Sequence, residues 1–207
     1  MLTGVILAGG RSRRMGRDKA AIPVAGEPLW KRQARVLREA GAASVVLVLR
    51  PDQAPPPDTG AAAVQVLRDV YRDAGPIAGL HIALTAPPLA GWYLVLAVDL
   101  PSVRPDWYGW LAGSCDDGVG AIVEHENGYE PLAAIYPAAA GPVITAHCER
   151  GEYSLQRLAE HLVQTGLLRA IPLSARRLPQ LANWNTPADI EASESAPSAF
   201  FHEDSRL

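Results

Sequence analysis

The sequence predicts an α/β protein of the three-layer, Rossmann-like kind, with a mainly parallel sheet and an antiparallel element in its second half. Three observations carry this. Short apolar runs alternate with helix-length segments, the runs are apolar at consecutive positions rather than every second one, and the first of them ends on a glycine pair. Strands apolar on both faces are buried on both faces, which demands helices above and below the sheet.

Thr3 to Ala8 (TGVILA) is the first such strand, halted by Gly9-Gly10. Pro28 to Ala40 carries Leu29, Trp30, Ala34, Leu37 and Ala40 at helical spacing and stops at Gly41. Ser44 to Leu49 is the second strand, followed by an irregular loop, Pro51 to Gly60, that contains three consecutive prolines. Val64 to Leu67 reads as a strand, Pro76 to Ala86 as a helix, and Trp92 to Val98 as a fourth strand ending in Asp99-Leu100-Pro101. Ala121 to Glu124 and Leu132 to Tyr136 flank a turn at Asn127-Gly128, so an antiparallel pair is expected there. Ala138 to Glu149 and Ser154 to Gln164 read as helices, Arg169 to Leu173 as a last strand, and Pro187 to Ala192 as a closing helix. Residues 1–192 thus form one expected domain. From Ser193 the composition turns to Ser, Glu, Pro and Ala, as in a tail without fixed structure; Phe200 and Phe201, the only phenylalanines, lie in it.

The 207 residues sum to a net charge of −3, but the sum hides a division. Residues 1–50 hold ten basic groups and three acids, giving +7, and the remainder carries −10. A nucleic-acid binder would need a cationic face across the domain, so that role is not expected. A local anion site near the N-terminus is. Cys115 and Cys148 have no metal-ligand spacing, which suits free thiols in a reducing cytoplasm. The apolar run Leu2 to Ala8 is short and its positive charges follow it, unlike a secretory signal. Residues 74–98 lack formal charge for 25 positions, enough to span a bilayer on paper, but Gly75, Pro76, Gly79, Pro87, Pro88 and Gly91 break the run, so no membrane role is expected.

The chemistry concentrates in residues 7–19, LAGGRSRRMGRDK, at the carboxyl end of the first strand. Adjacent glycines let successive N–H groups turn toward an anion without Cβ obstruction. Five cationic side chains, Arg11, Arg13, Arg14, Arg17 and Lys19, then supply charge for a polyphosphate. Neither a Walker A loop nor a Gly-x-Gly-x-x-Gly fingerprint is present. The five histidines are scattered and no Ser/His/Asp or Cys/His grouping is visible, so covalent catalysis has no support.

Residues 7–19 match in full the Leu-Ala-Gly-Gly-x-Ser-x-Arg-Met-Gly-x-Asp-Lys signature and resemble the molybdenum cofactor guanylyltransferases of the nucleotidyltransferase superfamily. Related cytidylyltransferases usually read Leu-Ala-Ala-Gly, so Gly9 favours the guanylyl branch. The similarity continues through Arg68-Asp69 and Gly75-Pro76-Ile77-Ala78-Gly79 around the purine, and through Ala97 to Pro101 at the metal-binding strand end. It extends to Glu130-Pro131-Leu132 and Gly151 to Leu155 on the second-substrate side, and to Asn183-Trp184-Asn185-Thr186-Pro187. One position departs: where relatives often carry Asn on the second strand near the base, this chain has Leu47, and guanine against cytosine stays open there.

The resemblance implies transfer of GMP from GTP to the terminal phosphate of molybdopterin cofactor, with Mg²⁺ as cofactor and pyrophosphate as product. Leu7, Ala8, Gly9, Gly10, Lys19, Asp69, Gly79 and Asp99 would bind nucleotide; Lys19, Arg14 and Asp99 would be catalytic; Asp99 and Asn185 would hold metal. Each residue has a plainer reading. Asp99 could end a strand in a turn, Lys19 could pair with Asp18, Arg14 could brace the loop, and Asp69 could cap a turn rather than accept from the guanine N1–H and 2-amino group. Thr186-Pro187-Ala188-Asp189 is also a helix start that would fix Asn185. Transient contact with cofactor-inserting or molybdoenzyme partners would follow. Two alternatives stand beside this: a cytidylyltransferase or other NTP-dependent transferase, and a non-catalytic module that binds nucleotide or cofactor and delivers it.

Overall fold

A computed structural model describes residues 1–10, 19–24, 26–87 and 91–184. Seven strands form one sheet in the order β5-β4-β1-β6-β8-β7-β9, where β1 is Leu2–Leu7, β4 Ser44–Leu49, β5 Val64–Arg68, β6 Trp92–Ala97, β7 Gly120–His125, β8 Gly128–Pro137 and β9 Leu168–Pro172. Only β8 runs against the others: β5, β4, β1 and β6 pair in parallel, β8 is antiparallel to β6 and β7, and β7 is parallel to β9. The expected antiparallel element is the β7–β8 hairpin, with His125 opposite Gly128, though β8 reaches well beyond Leu132 to Tyr136. A separate two-stranded ribbon, β2 (Pro23–Val24) and β3 (Glu27–Pro28), leads into the first helix.

Among the described residues, five α-helices cover the two faces. Along each central strand alternate residues enter opposite cores, as pleating requires. Ile6, Leu47 and Leu94 face α1 (Leu29–Glu39) and α3 (Pro105–Ala112), whereas Val5, Val48 and Val95 face α2 (Pro76–Thr85), α4 (Ala140–Glu149) and α5 (Leu155–Gln164). Apolar residues at consecutive positions therefore fill two cores from one strand. Ser154 caps α5 by accepting from the Arg157 N–H at 3.4 Å.

Helix α3 and the β2–β3 ribbon have no counterpart in the sequence reading. Pro105 at the first turn and Asp106 beside it were the available signals for α3. Its Trp107 and Tyr108 are fully buried because their polar atoms have partners: indole Nε1 donates to Ala133 O at 2.8 Å and the Tyr108 hydroxyl to Val95 O at 2.7 Å. Leu47 is a core residue on the α1 side, paired with Ile6 and Val66, so its side chain meets no base. Two scattered histidines do come together, His147 Nε2 lying 2.8 Å from His161 Nδ1. Both cysteines are free thiols, and among the described residues no helix is long and apolar enough to cross a membrane. The closing helix expected at Pro187 to Ala192 and the tail with Phe200 and Phe201 lie outside the described residues.

Candidate functional site

From β1 the chain passes to β4 on one side, and β6 lies on the other, so the strand order reverses between β1 and β6. Open parallel sheets place ligands outside the carboxyl ends at such a point. There the ends of β1, β4, β5 and β6 and the start of α2 surround a cleft of about 730 Å³. Leu7, Ala8, Gly9, Gly10, Lys19, Asp69, Gly79 and Asp99 all line it. Arg14 and Asn185 lie outside the described residues, although Trp184, immediately before Asn185, donates its N–H to Asp99 O at 3.0 Å.

Asp99 follows β6 in a turn closed by Leu100 N–H to Ala97 O at 3.3 Å. Helix α1 holds that turn from below: Gln33, fully buried, donates from Nε2 to Ala97 O at 3.1 Å and Leu100 O at 3.0 Å. Arg32 Nε adds a bond to Pro101 O at 2.9 Å, and Arg38 donates to Ala62 O at 2.6 Å. Gln33 carried no sequence signal beyond being polar on an apolar stripe.

The Lys19 ammonium sits 3.7 Å from Asp99 Oδ2, with 15% and 32% of the two side chains exposed. Opposite charges are thereby held at the cleft wall, half in water, where each can still turn to a ligand. Asp69 follows β5, its N–H bonded to Leu49 O at 3.1 Å. Burial pushes its carboxyl above the ordinary range; nearby Arg50 opposes this and Asp52 adds to it. An added Cβ at Gly9 would stand 3.5 Å from Arg50 Cγ and 3.6 Å from Asp69 Oδ2, so the glycine loop runs close beside that carboxylate. Gly79 lets α2 approach the sheet, since a Cβ there would meet Leu7 Cδ2 at 3.0 Å and Val48 Cγ1 at 3.4 Å. Helix α2 starts at the cleft from Gly75, whose φ of +71° favours glycine, and its amino end brings partial positive charge.

One residue joins the site without having been singled out for it. Arg50 lines the cleft and donates from Nη1 to Gly9 O at 3.1 Å and Gly10 O at 2.8 Å. Of the segment Glu130-Pro131-Leu132, Leu132 lines the cleft; Glu130, on β8, accepts from the Leu132 N–H at 3.1 Å, and burial raises its carboxyl, with that hydrogen bond opposing and the charge of Asp99 adding to the rise. Among the described residues no three His, Cys, Asp or Glu side chains gather into a metal cage.

Residues 4–165 match the family model described as MobA-like NTP transferase domain. A probable molybdenum cofactor guanylyltransferase of Opitutus terrae is 46% identical over 190 residues, covering 91% of this chain and 92% of the relative. The molybdenum cofactor guanylyltransferase of Xanthomonas euvesicatoria is 30% identical over 187 residues, covering 89% and 90%. Among solved structures, molybdopterin-guanine dinucleotide biosynthesis protein A of Archaeoglobus fulgidus superposes with a TM-score of 0.71 at 25% identity, over 93% of this chain and 96% of that one. The 2-C-methyl-D-erythritol 4-phosphate cytidylyltransferase of Thermus thermophilus shares the fold, with a TM-score of 0.66 at 17% identity over 92% and 96%. A cleft at the sheet's switch point, a glycine loop facing two carboxylates and these relatives agree: the chain is a nucleotidyltransferase and belongs to the MobA-like family, among the molybdenum cofactor guanylyltransferases.

Proposed function

We propose that the protein transfers GMP from GTP to the terminal phosphate of molybdenum-molybdopterin, releasing pyrophosphate. The observation that carries this is one cleft lined by the Gly9-Gly10 loop, Lys19 and both carboxylates, Asp69 and Asp99. A purine with an N1–H and a 2-amino group suits a carboxylate there, since both donors can reach one acceptor pair. Arg50 keeps Asp69 from being raised further, which favours the ionised acceptor.

An oxygen of the acceptor phosphate attacks the α-phosphorus of GTP, the bond to the bridging oxygen breaks, and the electron pair leaves with pyrophosphate. The acceptor is already ionised, so no strong base is required. Lys19, with the N–H groups of the Gly9-Gly10 loop and Arg14, would offset the charge that grows on the triphosphate, an effect of positioning and electrostatics. The residues fit a hard divalent cation: Asp99 offers a part-exposed carboxylate, Asn185 follows the residue tied to Asp99, and Mg²⁺ needs few protein ligands when phosphates complete its shell. Bound there, Mg²⁺ would supply charge neutralisation at the phosphates.

Purified protein given molybdopterin cofactor and Mg²⁺ should release pyrophosphate from GTP and not from CTP. Preference for CTP would overturn the guanine reading and leave the transferase. GTP binding without any pyrophosphate release would favour the delivery module instead.

A further inference from the structure

Three consecutive carbonyls at the end of β1 are all taken by side chains from one short segment after β4. Gln53 Nε2 donates to Ala8 O at 3.2 Å, and Arg50 Nη1 to Gly9 O at 3.1 Å and Gly10 O at 2.8 Å. The segment that supplies these donors is itself braced. Arg68 Nη1 reaches Arg50 O at 2.8 Å, Pro51 O at 3.2 Å and Gln53 O at 2.8 Å, while Gln53 Oε1 accepts from the Arg50 N–H at 3.3 Å. Asp52 Oδ1 lies 3.3 Å from Arg50 Nε and steadies the guanidinium from its other side.

In a trans peptide the carbonyl of one residue and the N–H of the next point in opposite directions. Drawing the Ala8 and Gly9 carbonyls toward residues 50–53 therefore turns the Gly9 and Gly10 N–H groups away from that segment. Glycine peptides have little intrinsic preference for such an orientation, so without the donors the loop would sample many. An anion nest works only when successive N–H groups converge, and ordering them in advance removes that entropy from binding.

We propose that Arg50 is a positioning residue for the nucleotide triphosphate: its Nη1 group, carried on a backbone segment braced by Arg68 and Gln53, sets the peptide planes of the glycine loop. This rests on the reading that the cleft takes GTP. The role differs from contact with phosphate, because what Arg50 provides is two bonds to carbonyls rather than a charge aimed at the ligand. Both bonds leave from Nη1, and a lysine ammonium, which ends one bond short of that atom, would keep the charge without reaching both carbonyls.

Equilibrium binding of GTP and of guanosine, measured for the wild type, Arg50→Met, Arg50→Lys and Arg68→Met, tests it. Arg50→Met should weaken GTP roughly 10- to 100-fold, and Arg50→Lys should regain no more than about threefold, as expected for lost bonds near a charged ligand. Arg68→Met, which leaves the glycine loop untouched, should weaken GTP in the same direction by a smaller factor. Guanosine, which lacks phosphates, should lose no more than about threefold in Arg50→Met, through the charge that Arg50 supplies near Asp69, and should bind the other variants within about twofold of wild type, which also shows that each has folded. Restoration of GTP affinity by Arg50→Lys would mean charge alone matters and would overturn the proposal, as would equal losses for guanosine or unchanged GTP affinity in Arg50→Met. Failure of the wild type to bind GTP would instead remove the underlying reading of the cleft.

Discussion

Lys19 and Asp99 lie far apart in the chain, yet their charged atoms stand 3.7 Å apart at the cleft wall. A pair so placed contributes little to stability, because water screens it and both side chains lose freedom. Its value is in what it can release to a ligand. Asp99→Asn keeps the shape and removes the charge, so thermal stability should change by less than about 1 kcal/mol. Turnover should fall by about 100-fold or more, and metal-free GTP affinity should change far less. Steady-state kinetics beside calorimetry check this, and unchanged turnover would remove Asp99 from the proposed metal role. The residue types at this site were legible beforehand, since a glycine pair, a lysine and a strand-end carboxylate each announce themselves. Gln33 and Arg50 were not, because a polar residue on an apolar stripe and an arginine at a strand end have many uses, and only the partner carbonyls give them meaning.

Among the elements, the strands with consecutive apolar residues were the most readable, because two buried faces leave no polar alternation to misread. Helix α3 escaped because Gly109 and three aromatic residues give it no clean stripe. The β7–β8 hairpin was visible at Asn127-Gly128, but its irregularity between Ala121 and Val123 was not. Gly120 stands beside that irregularity, and a Cβ there would run into the Ile135 carbonyl oxygen, with Leu168 Cδ2 and Pro137 Cδ each at 2.9 Å. Backbone cannot step aside as a side-chain end can. Gly120→Ala should therefore cost about 3 kcal/mol or more, while Gly79→Ala, which meets only side-chain ends, should cost about 1 kcal/mol. Urea midpoints of the two variants decide it, and equal midpoints would refute the argument.

For the molecule as a whole, stability should depend on pH through a histidine on the outer layer. His147 is buried on α4, bonded to His161, with Nδ1 in ion-pair range of Glu152 at 3.2 Å. Burial holds its pKa below the ordinary 6.5; Glu152 opposes that, and Arg150 and His161 reinforce it. The unfolded chain then binds more protons in the interval between 6.5 and the lower folded value, so stability rises with pH across it. His147 thus contributes fully above 6.5, and its contribution is lost as pH falls through that interval. His81, also lowered by burial, acts in the same sense. Asp69 and Glu130, raised by burial above 3.8 and 4.5, act oppositely: their folded forms hold protons longer, so stability falls as pH rises through their own windows. Subtracting the profile of His147→Gln from that of the wild type isolates the histidine. The difference should be constant above pH 6.5 and shrink as the pH falls below it, and a difference with no pH dependence would sink the assignment.

The sequence by itself determined the layered α/β class, the near-complete strand list, the hairpin and the glycine loop with its opposing carboxylates. Those features are local: periodicity, punctuation by glycine and proline, and a motif read in one stretch. Tertiary structure alone decided that Lys19 meets Asp99, that Leu47 faces the core, and that Arg50, Gln53 and Arg68 shape the loop. A hydrogen bond between a side chain and a carbonyl tens of residues away has no periodicity to betray it, because any carbonyl accepts equally and only the fold selects one.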